Sequence, residues 1–340
     1  MSDRDASVRD ARVRDVSVRG VEEAALDWVW AHRDRFALGE DALAADGQVN
    51  RTWKPLGELT QVCASVARCT PPDDPLHTRV SELLDFAWQQ THRGELFPLM
   101  QSLEPFATYP LEVYAAFASA GLRHPGYEAS AAVVARTRGW RLTEQYPTRR
   151  LGVLEAERRS GIPPHGGVPQ ATDRTWLGGL PEPWTFERAA GYALTHVVFH
   201  LTDWGSTARG VPADLAEYLL HWLPPWLDTC LDARMYDLSC ELLAVAASLP
   251  RPPEQALLED AWQRVAAAQR GSGAIPEEGA AQDAAGPDPG PDPYDFTDCY
   301  HSTLMAAFAA ALTTAATAPP PDVRHAAPLG GQHAGQGAPG

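Results

Sequence analysis

Lysine is almost missing from this chain of 340 residues: Lys54 stands alone, and every other basic side chain is arginine. With abundant Ala, Gly, Pro and Asp, this points to coding bias from a GC-rich genome. Basic charge as a whole is scarce, and the formal net charge is -16. Such a field repels phosphates and anionic lipid surfaces, which argues against nucleic acid and membrane partners. No apolar run is long enough to span a bilayer. The opening MSDRDASVRDARVRDVSVRG has no apolar centre and so does not read as a secretory signal. A cytoplasmic location is expected.

Paired cysteines are missing too. Cys63, Cys69, Cys230, Cys240 and Cys299 form no CxxC and are odd in number, which excludes a disulfide framework as the organising device. Each is expected to be a small buried hydrophobe. There is no GxGxxG after a strand, no Walker-type phosphate loop, no G-x-S-x-G elbow and no zinc-finger spacing. Alternating β-branched runs are also lacking, so strands should be few or absent and the fold class is all-α.

What remains is a series of helical patterns. Apolar periodicity predicts helices over 21–36, 55–68, 74–92, 109–122, 127–137, 143–158, 184–204, 212–222, 233–249, 253–270 and 297–313. Pro55, Pro110, Pro212 and Pro253 sit where first turns tolerate proline. Residues 1–19, with their repeated S/A-V-R-D unit, and 318–340 read as a disordered leader and tail around one domain over 20–317. Loops are expected near 160–183 and 271–293. In the C-terminal half, helices that are apolar all round alternate with amphipathic ones, which predicts inner and outer layers. An α/α toroid around an axial cavity fits this alternation, and an open solenoid of helical hairpins is the alternative.

Five of the apolar segments open on an ionisable residue: Glu58, Glu112, His196, Glu241 and His301. Their recurrence suggests that several inner helices aim such groups at one cavity. His196, His200 and Asp203 fall at i, i+4 and i+7, one helical face, so two imidazoles and a carboxylate could share a metal ion. Glu112 and Glu241, buried in an apolar ring, are candidates for acid or base, as is Asp203. The same residues have bland readings as buried hydrogen-bonding groups. Trp204, beside Asp203, is the best cavity candidate among the tryptophans, most of which should pack between layers.

The string Phe296-Thr-Asp298-Cys299-Tyr300-His301-Ser-Thr, with Asp237 and Cys240 upstream, resembles the zinc-binding segments of protein prenyltransferase β subunits. That resemblance implies a toroid and a zinc triad of Asp237, Cys240 and His301. The chain departs from it in its D-x-x-C spacing, in lacking glycine-rich repeats, and in offering only Arg209 and Arg234 as candidates for a diphosphate site. The aspartate-rich motifs of terpene cyclases are absent. As a whole, the chain also resembles an uncharacterised actinobacterial family of specialised metabolism, carried by Thr195-His196-Val-Val-Phe-His200-Leu-Thr-Asp203-Trp204-Gly205. The expected function is therefore a metal-dependent transferase or cyclase, holding zinc or iron in preference to magnesium. Its substrate would be a largely apolar small molecule or a peptide, with isoprenoid cyclisation or prenyl-type transfer the most concrete reaction. A metal-free glycosidase or lyase using Glu112 and Glu241, and a non-catalytic binding protein, are the alternatives.

Overall fold

The computed structural model describes residues 18–39, 42–43, 49–207, 210–279 and 296–317. Among these, every regular element is helical, and the one strand-like contact is an isolated bridge between Met235 and Glu278. The helices are α1 (18–31), then α2 (Trp53–Cys69), α3 (Pro75–Gln90), α4 (Leu96–Leu103), α5 (Tyr109–Ser119), α6 (Pro125–Ala135) and α7 (Arg138–Thr143). They continue as α8 (Pro147–Arg159), α9 (Val168–Thr172), α10 (Arg188–Leu201), α11 (Ala213–Asp232), α12 (Tyr236–Ser248), α13 (Gln255–Ala268) and α14 (Tyr300–Thr317).

Six of them form a closed ring. α2 packs on α5, α5 on α8, α8 on α10, α10 on α12, α12 on α14, and α14 returns to α2. The reason is in their surfaces. α12 buries every residue from Asp237 to Ala246, and α14 every residue from Ser302 to Leu312. A helix that is apolar all round must be covered on all sides. The outer helices bury one stripe: α13 buries only Ala261, Trp262 and Val265 and leans on α11 and α12. α3 covers α2, α4 covers α5, and α9 covers α8. α1 is tied to the end of α13 by the Gln269 side chain, which donates to the Val21 carbonyl at 3.1 Å. Trp28 of α1 stacks on Phe296. The closed ring is the toroid of the two architectures anticipated above.

Helix starts follow local chemistry. Asp74 accepts from the Leu76 N–H at 2.8 Å ahead of Pro75 in α3, and His124 Nδ1 accepts from the Tyr127 N–H ahead of Pro125 in α6.

Several boundaries differ from expectation. α11 does not stop at Trp222 but runs through Pro224 and Pro225 to Asp232. Each interior proline costs an isolated helix about 3 kcal/mol. Here Leu219, Leu223, Trp226, Leu227, Cys230 and Leu231 are buried beyond or across that point, and their burial outweighs the cost. The segment 143–158 begins later, at Pro147, because α7 ends at Thr143. α4 was not anticipated: its eight residues are too few to establish a period. The 160–183 loop contains the short α9. The sequence repeat within 1–17, the part of the second loop from 280 to 295, and the tail from 318 lie outside the described residues. No described helix is long and apolar enough to cross a membrane.

Candidate functional site

A cavity of about 570 Å³ opens inside the ring, walled by α2, α5, α8 and α10. Its surface mixes small and aromatic residues such as Ala115, Val113 and Trp53 with charge. Glu58, Glu112, Arg149, Arg159, His196 and His200 all reach it. Close approach of α8 and α10 requires Gly152, because a Cβ there would lie 2.9 Å from His200 Nε2. Trp204 lines the wall, stacked on Phe199 at 5.0 Å between centroids.

Beside this cavity, α12, α14 and α2 bring together a buried acidic cluster. His301 of α14 is its hub. Its Nε2 lies 3.2 Å from Glu241 Oε1 and 3.6 Å from Asp237 Oδ1, and its Nδ1 lies 3.4 Å from Glu58 Oε2. Asp237 and Glu241 are one turn apart on α12, so both carboxylates leave the same face. Asp237 is 5% exposed and Glu241 fully buried. The Tyr192 hydroxyl donates to Asp237 Oδ2 at 2.7 Å, and the Thr195 hydroxyl donates a short bond to Glu241 Oε2. Asp237 Oδ1 has no hydrogen-bond partner. His196 borders both regions: its Nε2 is 3.9 Å from Glu241 Oε1, and 46% of its side chain is exposed to the cavity.

The electrostatics follow from three carboxylates around one imidazole. Burial alone would lower the His301 pKa, but Glu58, Asp237 and Glu241 more than offset this and raise it well above the ordinary value. Burial raises Asp237 to about 6, against the opposing pull of His301. Glu58 is also desolvated, yet His301 holds its carboxyl below the usual range. His196 and His200 are both lowered by desolvation, with Glu241 partly restoring His196, and are neutral at pH 7.

Among the described residues, one group of His, Cys, Asp or Glu places its ligand atoms all within 4.8 Å of one another: Asp237, Glu241 and His301. A metal with bonds of about 2.0–2.1 Å spans tetrahedral ligand edges of about 3.3 Å. The 3.2 and 3.6 Å separations bracket that edge. Were an ion held on Nε2 of His301, Nδ1 would face Glu58, a carboxylate of the kind that fixes a ligating imidazole's tautomer.

The candidates from sequence therefore separate. Asp237, Glu241 and His301 converge, but Cys240 does not join them. It is fully buried, and desolvation pushes its thiol well above its ordinary pKa. One residue along a helix is a rotation of about 100°, which gives the third place to Glu241 at i+4 from Asp237. The His196, His200 and Asp203 set does not close either. α10 ends at Leu201, and Asp203 adopts φ 51°, so the i+7 geometry of a continuous helix is lost. Asp203 instead accepts from Arg159 Nε at 2.6 Å and pairs with Arg158 at 3.2 Å. The two rings are 6.3 Å apart between centroids, at near-right angles. Glu112 lines the cavity, bonded to Arg149 at 2.7 Å, with a carboxyl raised by burial. Ring order sets its helix across from α12, yet Glu241 is buried and held by Thr195 and His301. Arg209 lies outside the described residues. Arg234 has φ 56°, and its carbonyl accepts from the Gly279 N–H at 3.0 Å.

Sequence reasoning missed the contribution of α8. Arg149, Gly152, Glu155 and Arg159 all line the cavity. The signal was the charge-rich PTRRLGVLEAERR, which reads as a wet outer helix.

No curated protein and no solved structure matches the chain. One family model does, over residues 22–311, which spans five of the ring helices, α14 as far as residue 311, and the whole acidic cluster. The chain belongs to that family, described as a domain of unknown function, DUF6895.

Proposed function

We propose that this protein is an enzyme that holds one divalent metal ion on Asp237, Glu241 and His301 and acts on a small organic molecule enclosed by the helical ring. The observation carrying this reading is the convergence of two carboxylates and an imidazole at metal-ligand spacing, with Asp237 Oδ1 buried and without a hydrogen bond. Lys54 Nζ lies 3.8 Å from half-buried Glu58, which leaves the two buried carboxylates Asp237 and Glu241 to share His301, and a cation would offset that negative charge. One oxygen-rich set with a single imidazole suits zinc, iron or manganese. The ion would polarise a substrate group or activate a water, and neutral His196, between the ion and the cavity, is placed to take a proton. Glu58 would orient His301 and is a positioning residue.

The mixed cavity wall fits a substrate with a polar head and an apolar body. Isoprenoid cyclisation or prenyl-type transfer is the concrete version of this chemistry that we propose. Metal analysis of protein purified without chelator tests the first step. One zinc, iron or manganese per chain is expected, falling to background in Asp237→Asn and in His301→Ala. Sub-stoichiometric metal that is the same in wild type and both variants sinks the metal reading.

A further inference from the structure

One corner of the cavity, beside the C-terminal ends of α2 and α8, is basic. Arg158 and Arg159 end α8, Arg68 lies in the last turn of α2, and all three converge on the turn after α10. Asp203 accepts from Arg159 and pairs with Arg158. Arg68 Nη2 reaches the carbonyls of Asp203 and Trp204 at 3.4 and 3.5 Å. Glu155 pairs with Arg158 at 2.7 Å. Three guanidinium groups thus face two carboxylates, which leaves positive charge in surplus.

Arg159 is the member that reaches the cavity. Its side chain is 7% exposed. Nε is used by Asp203 and Nη1 by the Gln61 side-chain oxygen at 2.7 Å, while Nη2 has no partner. A buried guanidinium nitrogen left without an acceptor is costly, and the group cannot lose its proton to escape the cost. Gln61 and Trp204, which also line the wall, give this corner one amide and one flat apolar face.

We propose that this corner is an oxyanion subsite, in which a small rotation of the Arg159 side chain brings the occluded Nη2 to the cavity, where it donates to a carboxylate or phosphate oxygen of the substrate. The proposal rests on the cavity being the substrate site, and it deepens that reading by naming an anionic group on the substrate. Turned this way, the substrate lies with its anion at Arg159 and its reacting portion toward His196 and the metal ligands. A carboxylate and a phosphate present the same oxygen chemistry to one guanidinium, and the competing anions below separate them.

Calorimetric titration of EDTA-treated protein with inorganic phosphate, and separately with acetate, tests the subsite without any metal. Saturable binding of one anion per chain is expected, weakened roughly tenfold or more in Arg159→Gln, the loss of one charge-assisted hydrogen bond. The tighter of the two anions identifies the source. No saturable binding by wild type, or equal binding by Arg159→Gln, overturns the proposal. If Arg159→Gln does not fold, wild-type crystals soaked in selenate supply the second measurement. An anomalous peak within hydrogen-bond distance of Arg159 Nη2 supports the subsite, and peaks confined to the outer surface overturn it. Because the protein is stripped of metal with EDTA and the chelator is then removed before titration, failure here leaves the metal reading standing, and failure of metal binding leaves this result unchanged.

Discussion

Replacing Glu58 by Gln keeps the shape of the side chain and removes its charge. In the structure, Glu58 Oε2 is 3.4 Å from His301 Nδ1, the nitrogen opposite the one that faces Asp237 and Glu241. With metal bound, the imidazole is neutral and its Nδ1–H donates to Glu58. Loss of the carboxylate lowers the basicity of Nε2 and frees the ring to turn. Partners of this kind are worth about 10–100-fold in metal affinity, or about 1.4–2.8 kcal/mol. The assay is competition between the protein and a chromophoric chelator, followed by absorbance, with circular dichroism to show that the helices are intact. Glu58→Gln should bind one metal per chain with affinity reduced in that range. His301→Ala, which removes a ligand, should lose far more. A folded Glu58→Gln protein with wild-type affinity would refute the placement of the ion on the Nε2 side of His301.

Other outcomes follow from the same geometry. The folded pKa of Asp237, about 6, lies above its ordinary value of 3.8, so the folded chain binds the extra proton between these pH values. Its contribution to stability is present below about pH 4 and is lost as pH rises to about 6. In EDTA, the urea midpoint of wild type should therefore fall over that window relative to that of Asp237→Asn at the same pH. A metal concentration about 100 times the dissociation constant at pH 7 should add about 2.7 kcal/mol of stability at pH 7, and the same concentration should add less at pH 5, because the ligands bind deprotonated. A calorimetric scan with and without metal at both pH values checks this. Gly205→Ala should lower stability by roughly 1–3 kcal/mol, because φ is +81° and a Cβ would meet Leu312 Cδ2 at 2.3 Å. Phe199→Ala, which empties the floor of the stack with Trp204 and Phe308, should cost about 3–5 kcal/mol while leaving metal stoichiometry at one.

Much of the ring could be read in advance because its inner helices declare themselves. α5, α10, α12 and α14 are so uniformly small and apolar that no wet face exists for them, and α2 carries the same pattern over Leu56–Val66. The five marker residues lie on these five helices. The sixth, α8, was not recognised as an inner helix because it buries Glu155 and Glu157 through partners far off in sequence or across a turn. Glu157 accepts from Trp140 and the His165 backbone, and Arg158 holds Glu155. Periodicity registers hydrophobic surface but cannot register an ion pair that makes charge buriable. The cluster itself was half legible. Asp237 and His301 were recognised, but whether Cys240 or Glu241 joined them turned on one helical step. His200 and Asp203 were grouped with His196 on the assumption of an unbroken helix, and the left-handed run Asp203–Gly205 breaks it.

Ring closure has a consequence for how the protein is made. α2 forms near the start of synthesis, but its neighbour α14 leaves the ribosome only after all the other described helices. Until then α2 has one inner flank exposed, and Glu58 waits without His301. The seam between α2 and α14 joins residues separated by most of the chain, the kind of contact whose loop-closure entropy slows folding. It is also where Glu58 of α2 meets His301 of α14, at 3.4 Å. In native-state hydrogen exchange this seam should open first, and Glu58→Gln, which removes the charge that holds His301 across it, should make it open more readily.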